Sequence, residues 1–183
     1  MKTNRTPLIL VAVFVGLAAL LMVQNSASNR PEPTSTLLGN AIFRDFAPDD
    51  IQAIRLRSPE SGETLILSRS TDAAQPWTAP ETAGTLDQNE ANVIARTMVL
   101  LPYSSTVGIT DETDLTQYGF TPEGILSLEI VLTNGLTHGV AIGFRTPSEN
   151  DYYALVDDRD ELYFVVRPAV DYLISRLKSP PIA

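Results

Sequence analysis

Apolar and polar positions fall into two regimes along this chain. Residues 7–23 (PLILVAVFVGLAALLMV) form an unbroken apolar run with no charge. After it come short segments whose apolar residues recur at period two or at helical spacing. Residues 51–57 alternate, placing Ile54 and Leu56 on one side, and Ser58-Pro59-Glu60-Ser61-Gly62 is turn chemistry. Residues 63–69 return as a second strand with Leu65 and Leu67 inward, and Trp77 sits in a short Pro-bracketed segment read as extended. Asp87 followed by Glu90 reads as a capping box, predicting a helix that Pro102 stops; Ala91, Ile94, Ala95 and Met98 make its buried stripe. Residues 103–109 read as another strand.

Residues 125–133 and 136–142 flank Asn134-Gly135, a dipeptide suited to a two-residue type I′ hairpin. That turn sets Thr133 against Leu136, Val131 against His138 and Glu129 against Val140. One face then carries Leu126, Leu128, Ile130 and Leu132 opposite Gly143, Ala141, Gly139 and Thr137, large against small, with room for a helix. Residues 152–156 and 162–166 form a further hairpin around Asp157-Asp158-Arg159-Asp160-Glu161. Pro168 suits the first turn of a last helix, with Val170, Leu173, Ile174 and Leu177 as its stripe. The fold class expected is α+β: a mostly antiparallel sheet with two packed helices, preceded by one transmembrane helix.

The apolar run fixes the expected layout. Seventeen residues at about 1.5 Å each give about 25 Å, the short end of a bilayer span. Lys2 and Arg5 precede it with no acidic residue, so the positive-inside rule puts the N-terminus in the cytoplasm and the rest outside. A cleaved signal peptide is the rival reading, with Ser26-Ala27-Ser28 as its cleavage site. The layout expected is residues 1–6 cytoplasmic, 7–24 anchor, 25–37 a Pro/Ser/Thr stalk, 38–178 the extracytoplasmic domain and 179–183 a tail.

Composition adds exclusions. With 44% hydrophobic and 19% charged residues, the exported part has the makings of a core. The absence of cysteine removes disulfides, Cys-ligated metals, thiol nucleophiles and a lipidated cysteine. All 22 acidic residues but only 11 of the 13 basic ones lie beyond residue 29, a net −11 there. A field of that sign disfavours nucleic acid and anionic headgroups.

In their order the motifs resemble the DUF4340 family, bacterial proteins of unassigned function. The resemblance covers residues 47–177 and rests on Leu67-Ser68-Arg69, Trp77 before Pro80 and Asp87 opening the helix. Tyr118-Gly119-Phe120 with Pro122, Ala141-Ile142-Gly143, the Tyr153 strand and the strand at 162–166 complete it. The family usually carries Leu where this chain has Phe120. The resemblance implies an anchored extracytoplasmic domain, often encoded near ABC-2-type transporter and gliding-type auxiliary components, with no established catalytic residues.

Candidate chemistry is sparse. His138 is the single histidine, and Glu129 lies diagonal to it in the expected register, within reach of an acid–base pair. A surface cross-strand pair is the simpler account. The carboxylates at 157–161 would suit a hard cation, but the EF-hand glycine and distal glutamate are missing and Arg159 repels a cation, so a solvated turn is expected. Arg55 and Arg57 project from one strand face as a partner contact, with a solvated sheet face as the plain alternative. Tyr118, Gly119, Phe120 and Pro122 make either a recognition loop or a corner packing both rings. Trp77 would stack on a sugar ring or fill the core.

The expected function is a non-catalytic, membrane-anchored accessory or binding subunit of a bacterial envelope complex, without cofactor or metal, engaging a protein partner and not nucleic acid. A glycan- or ligand-binding module and a carboxylate-dependent hydrolase are the alternatives. Carbonate-washed membranes are expected to retain the full chain, and protease added to spheroplasts to reach the domain. A shortened soluble form starting near Asn29 would contradict the anchor.

Overall fold

A computed structural model describes residues 40–72, 76–121, 124–157 and 159–182. The expected anchor (7–24) and stalk (25–37) lie outside the described residues. Among the described residues no helix is long and apolar enough to cross a membrane.

Among the described residues nine strands form one sheet: β1 (Asn40–Ala41), β2 (Ile51–Arg57), β3 (Thr64–Arg69), β4 (Trp77–Thr78), β5 (Pro102–Gly108), β6 (Leu126–Leu132), β7 (Thr137–Arg145), β8 (Asp151–Val156) and β9 (Glu161–Val166). Their spatial order is β1-β5-β9-β8-β7-β6-β2-β3-β4, and every neighbouring pair is antiparallel. Helix α1 (Gln88–Leu100) leads from β4 at one edge to β5 near the other, and α2 (Arg167–Lys178) follows β9. The α+β class with a mostly antiparallel sheet and two helices is therefore present.

Both helices pack on one face. Strand β6 alternates buried and half-buried without a break, the signature of a strand with one face in the core. Its Leu126, Leu128, Ile130 and Leu132 join Ile54, Leu56, Leu65, Leu67, Val140, Ile142, Ala154 and Val165 beneath the helices. From above come Ala91, Ile94, Ala95, Met98 and Val99 of α1, and Val170, Leu173 and Leu177 of α2. The expected stripes hold, except that Ile174 is only partly buried. Asp87 caps α1 by accepting from the main-chain N–H groups of Asn89 and Glu90, a contribution of about 0.5–2 kcal/mol.

The β6–β7 hairpin differs from expectation by one residue. Its loop has three residues, Thr133-Asn134-Gly135: Leu132 N–H donates to Leu136 O at 2.8 Å, and Gly135 N–H to Leu132 O at 2.9 Å. Of the loop residues only Gly135 has positive φ, +85°. This is a type I turn closed by a left-handed glycine rather than a type I′ pair. Leu128 consequently opposes Val140, Ile130 opposes His138 and Glu129 opposes Gly139. A one-residue shift moves every β7 side chain to the other face. His138 thus lies on the helix side, stacked on Phe46 with ring centroids 5.4 Å apart and 17° between planes. Gly139 lies on the outer face, beside the Asp157 carboxylate.

The outer face is partly covered. Alternating directions make β5 and β6 parallel, so residues 109–125 must cross over β9, β8 and β7. They do so through a 3₁₀ turn, Leu115–Tyr118, capped by the Asp114 side chain. A Cβ on Gly143 would meet the Tyr118 main-chain oxygen, and the Phe120 ring at 2.9 Å. The small residues on β7 therefore admit this crossover, not a helix. At the other end of the chain, Pro181 O accepts from Asp87 N–H at 2.8 Å and Ile182 bridges Leu86, fastening the C-terminal residues to the entry of α1.

Gly143→Ala is expected to lower stability by about 1–3 kcal/mol, as overpacking does. Gly139→Ala should cost clearly less, because only a rotatable carboxylate stands in its way. Urea melts of both variants check this; equal losses would contradict the register.

Candidate functional site

The outer face of β2 carries Arg55 and Arg57. Arg57 opposes Thr64 across the β2–β3 pair, and Arg55 opposes Ile66. Arg55 Nη1 donates to Glu129 Oε1 across the β2–β6 pair at 3.0 Å, with both side chains substantially exposed. Glu129 is thereby committed to arginine, and it stands on the opposite face of the sheet from His138. The Glu129–His138 pair anticipated from the sequence does not form, because the register is shifted.

The aromatic candidates pack inward. Trp77 is 1% exposed; its Nε1 donates to Asn92 Oδ1 at 2.9 Å, and Gln88 brackets its main chain through both amide atoms. Arg69 covers the ring at 4.1 Å. Phe120 is 7% exposed, and Tyr118 meets Tyr153 edge-on at 4.9 Å. Gly119 ends the 3₁₀ turn at φ +92°. This is the corner that packs both rings; Pro122 lies outside the described residues.

The acidic turn after β8 is tied to its surroundings. Arg159 donates to Tyr163 Oη and to Ile42 O, both at 3.1 Å, and Tyr163 Oη donates to Glu161 Oε2 at 2.7 Å. Among the described residues no three His, Asp or Glu side chains converge as metal ligands would.

A second polar network joins β7, β8 and α2. Tyr152 Oη donates to Asp171 Oδ1 at 2.7 Å, Arg145 Nε donates to Tyr152 Oη at 2.7 Å, and Arg167 Nε donates to Asp171 Oδ2 at 2.9 Å. Burial works to raise the Asp171 carboxyl, but the hydrogen bonds from Tyr152 and Arg167 and the charges of Arg145 and Arg167 together hold it below the ordinary carboxylate range. This network locks α2 to the ends of the central strands β7 and β8.

Two clefts remain. One, about 300 Å³, lies between the β2–β3 turn and the end of α2 and is lined by Glu60, Glu63, Ile125 and Lys178 among others. Both glutamates are exposed, and Glu63 accepts from Ser61 Oγ at 2.9 Å. Nothing there desolvates a carboxyl as an acid catalyst requires.

The larger is a groove of about 490 Å³ between α1 and the start of α2. Val93, Arg96, Thr97 and Leu100 form one wall and Pro168 and Tyr172 belong to the other. Val93 is 44% and Leu100 41% exposed, although the opposite stripe of α1 is fully buried. Sequence reasoning missed this surface. Its signal was present: Val93 and Leu100 stand seven residues apart, off the inner stripe, giving α1 a second apolar line. Glu90, expected to complete the capping box, has no such bond; it accepts from Tyr172 Oη at 3.0 Å and pairs with Arg176 Nε at 3.4 Å. That bracket fixes the groove's width by joining the two helices.

No protein-family model, curated protein or solved structure matches this chain.

Burial pushes the Tyr172 hydroxyl up to about 12, and its hydrogen bond to Glu90 adds to the shift. The folded value lies above the ordinary one, so this group's stabilisation is complete below about pH 10 and is lost as pH rises toward the folded value. Ultraviolet titration should show a tyrosine ionising near 12 that disappears in Tyr172→Phe. In Glu90→Gln the same transition should move down; an unmoved transition would contradict the contact.

Proposed function

We propose that this chain is a non-catalytic accessory or binding subunit of a bacterial envelope complex, held at the cytoplasmic membrane by residues 7–24, with its domain outside. The observation that carries the reading is the α1–α2 groove, in which Val93 and Leu100 face solvent at 44% and 41%. Two large aliphatic side chains on one line of a helix that already has a buried line are the mark of a second packing surface. A protein partner is the occupant that such a surface suits. The likeness to the DUF4340 family supplies the setting, association with an ABC-2-type transporter.

The competing readings draw less support. Glycan binding through Trp77 would need its ring exposed, and the ring is buried. Hydrolysis by paired carboxylates would rest on Glu60 and Glu63, both exposed on a turn. Arg55 and Arg57 remain a second possible contact, although Arg55 already has its counter-charge in Glu129.

Co-purification of the full chain from membranes in mild detergent tests the reading. Val93→Asp with Leu100→Asp is expected to reduce partner recovery by about tenfold or more, since central apolar contacts dominate interfaces. The melting temperature should stay within a few degrees, as both positions are exposed. Hydrolysis of a glycan or ester by the purified protein, abolished by Glu60→Gln or Glu63→Gln, would overturn the non-catalytic reading.

A further inference from the structure

We infer that the α1–α2 groove receives an amphipathic helix whose apolar stripe is interrupted by an acidic residue, and that Arg96 reads that residue. This rests on the reading of the groove as the partner-docking face.

Shape gives the first part of the argument. On α1 the lining residues Val93, Arg96, Thr97 and Leu100 follow the i, i+3, i+4, i+7 spacing of one helical face, a length of about 10 Å. Pro168 and Tyr172 of α2 raise the opposite wall. A concave trough between two helices suits a convex rod, as when an amphipathic helix lays its apolar face into a groove. A flat bilayer would reach only the rims.

Charge gives the second part. Three lining residues are polar, and two have spent their polar atoms: the Thr97 hydroxyl donates to Val93 O at 2.8 Å and the Tyr172 hydroxyl to Glu90 at 3.0 Å. Arg96 is left. Among the described residues every other arginine has a hydrogen bond, ion pair or ring contact, while Arg96 has none. In a chain of net charge −9, an unmatched guanidinium in the middle of an apolar line is a conspicuous exception. Its planar donor fork fits a carboxylate through two hydrogen bonds. Once a docked helix covers Val93 and Leu100 and displaces water, such a pair would be stronger than one on the open surface. The matching partner therefore has apolar residues at i, i+3 or i+4, and i+7, with Asp or Glu within one turn of them.

The test uses the full chain in its own membranes, with the photo-cross-linking residue p-benzoylphenylalanine at Leu100 and, in a separate strain, at Arg57. Mass spectrometry maps each adduct. The expected result is a Leu100 adduct to one protein segment with the stated pattern. Arg96→Glu should lower its yield by about tenfold or more, as facing like charges do, and changing the mapped Asp or Glu to Lys should restore it. Several outcomes overturn the inference: an adduct of phospholipid mass, an adduct to a second copy of this chain, a mapped segment without the pattern, a yield indifferent to Arg96→Glu, or no adduct. An adduct from position 57 with none from position 100 would sink the helix proposal and leave the accessory-subunit reading standing. No protein adduct from either position, with no co-purifying protein, would sink both.

Discussion

One face of a wide antiparallel sheet has to be kept from water, and most of this structure follows from how that is done. Nine strands about 4.8 Å apart span about 38 Å, while α1 has thirteen residues and is about 20 Å long. Two helices cannot cover such a face alone. The ends are closed by other means. The residues after β1 run along one end, with Ile42 N–H bonded to Leu101 O and Phe43 and Phe46 packed on His138. Farther along, Arg69 donates to the main-chain oxygens of Pro48 and Ile51, fastening that segment to the opposite side of the sheet. With this closure in place the helices bury only their inner stripes, and the outer flank of α1 is left facing α2 across a trough.

The same economy governs the charges. Arginines in this domain mostly serve as braces. Arg145 and Arg167 fix Asp171, Arg159 joins the turn after β8 to Ile42 O, and Arg176 joins Glu90. Such half-exposed pairs add little stability singly, but they determine which surfaces stay free. Glu90 is an example. Its commitment to α2 sets the spacing of the helices, and so the groove owes its width to a carboxylate that the local sequence assigns to capping α1. An interaction site built this way sits on rigid elements rather than on loops, and a partner would find it already formed.

Local pattern was enough for much of the fold. Alternation at residues 51–57 and 63–69, the Asp87 cap, the Pro102 stop and Pro168 in the first turn of α2 each act within a few residues, so they can be read without knowing what lies across the sheet. The local pattern leaves Trp77 open between stacking on a sugar and filling the core, and its bonds to Gln88 and Asn92 come from the folded helix. Tertiary structure decided the remainder. Asn134-Gly135 allows two loop geometries, and the one adopted puts Val140 and Ile142 into the core opposite Leu128 and Leu126. It also lets Asp50 O accept from Thr133 N–H at 2.8 Å. No local preference contains that distant contact. The order of the strands, the crossover over β9, β8 and β7, and the groove itself depend likewise on contacts between segments far apart in sequence. The chain's own residues thus determined its elements and their buried stripes; only their assembly decided which polar groups were used up, and left Arg96 without a partner among the described residues.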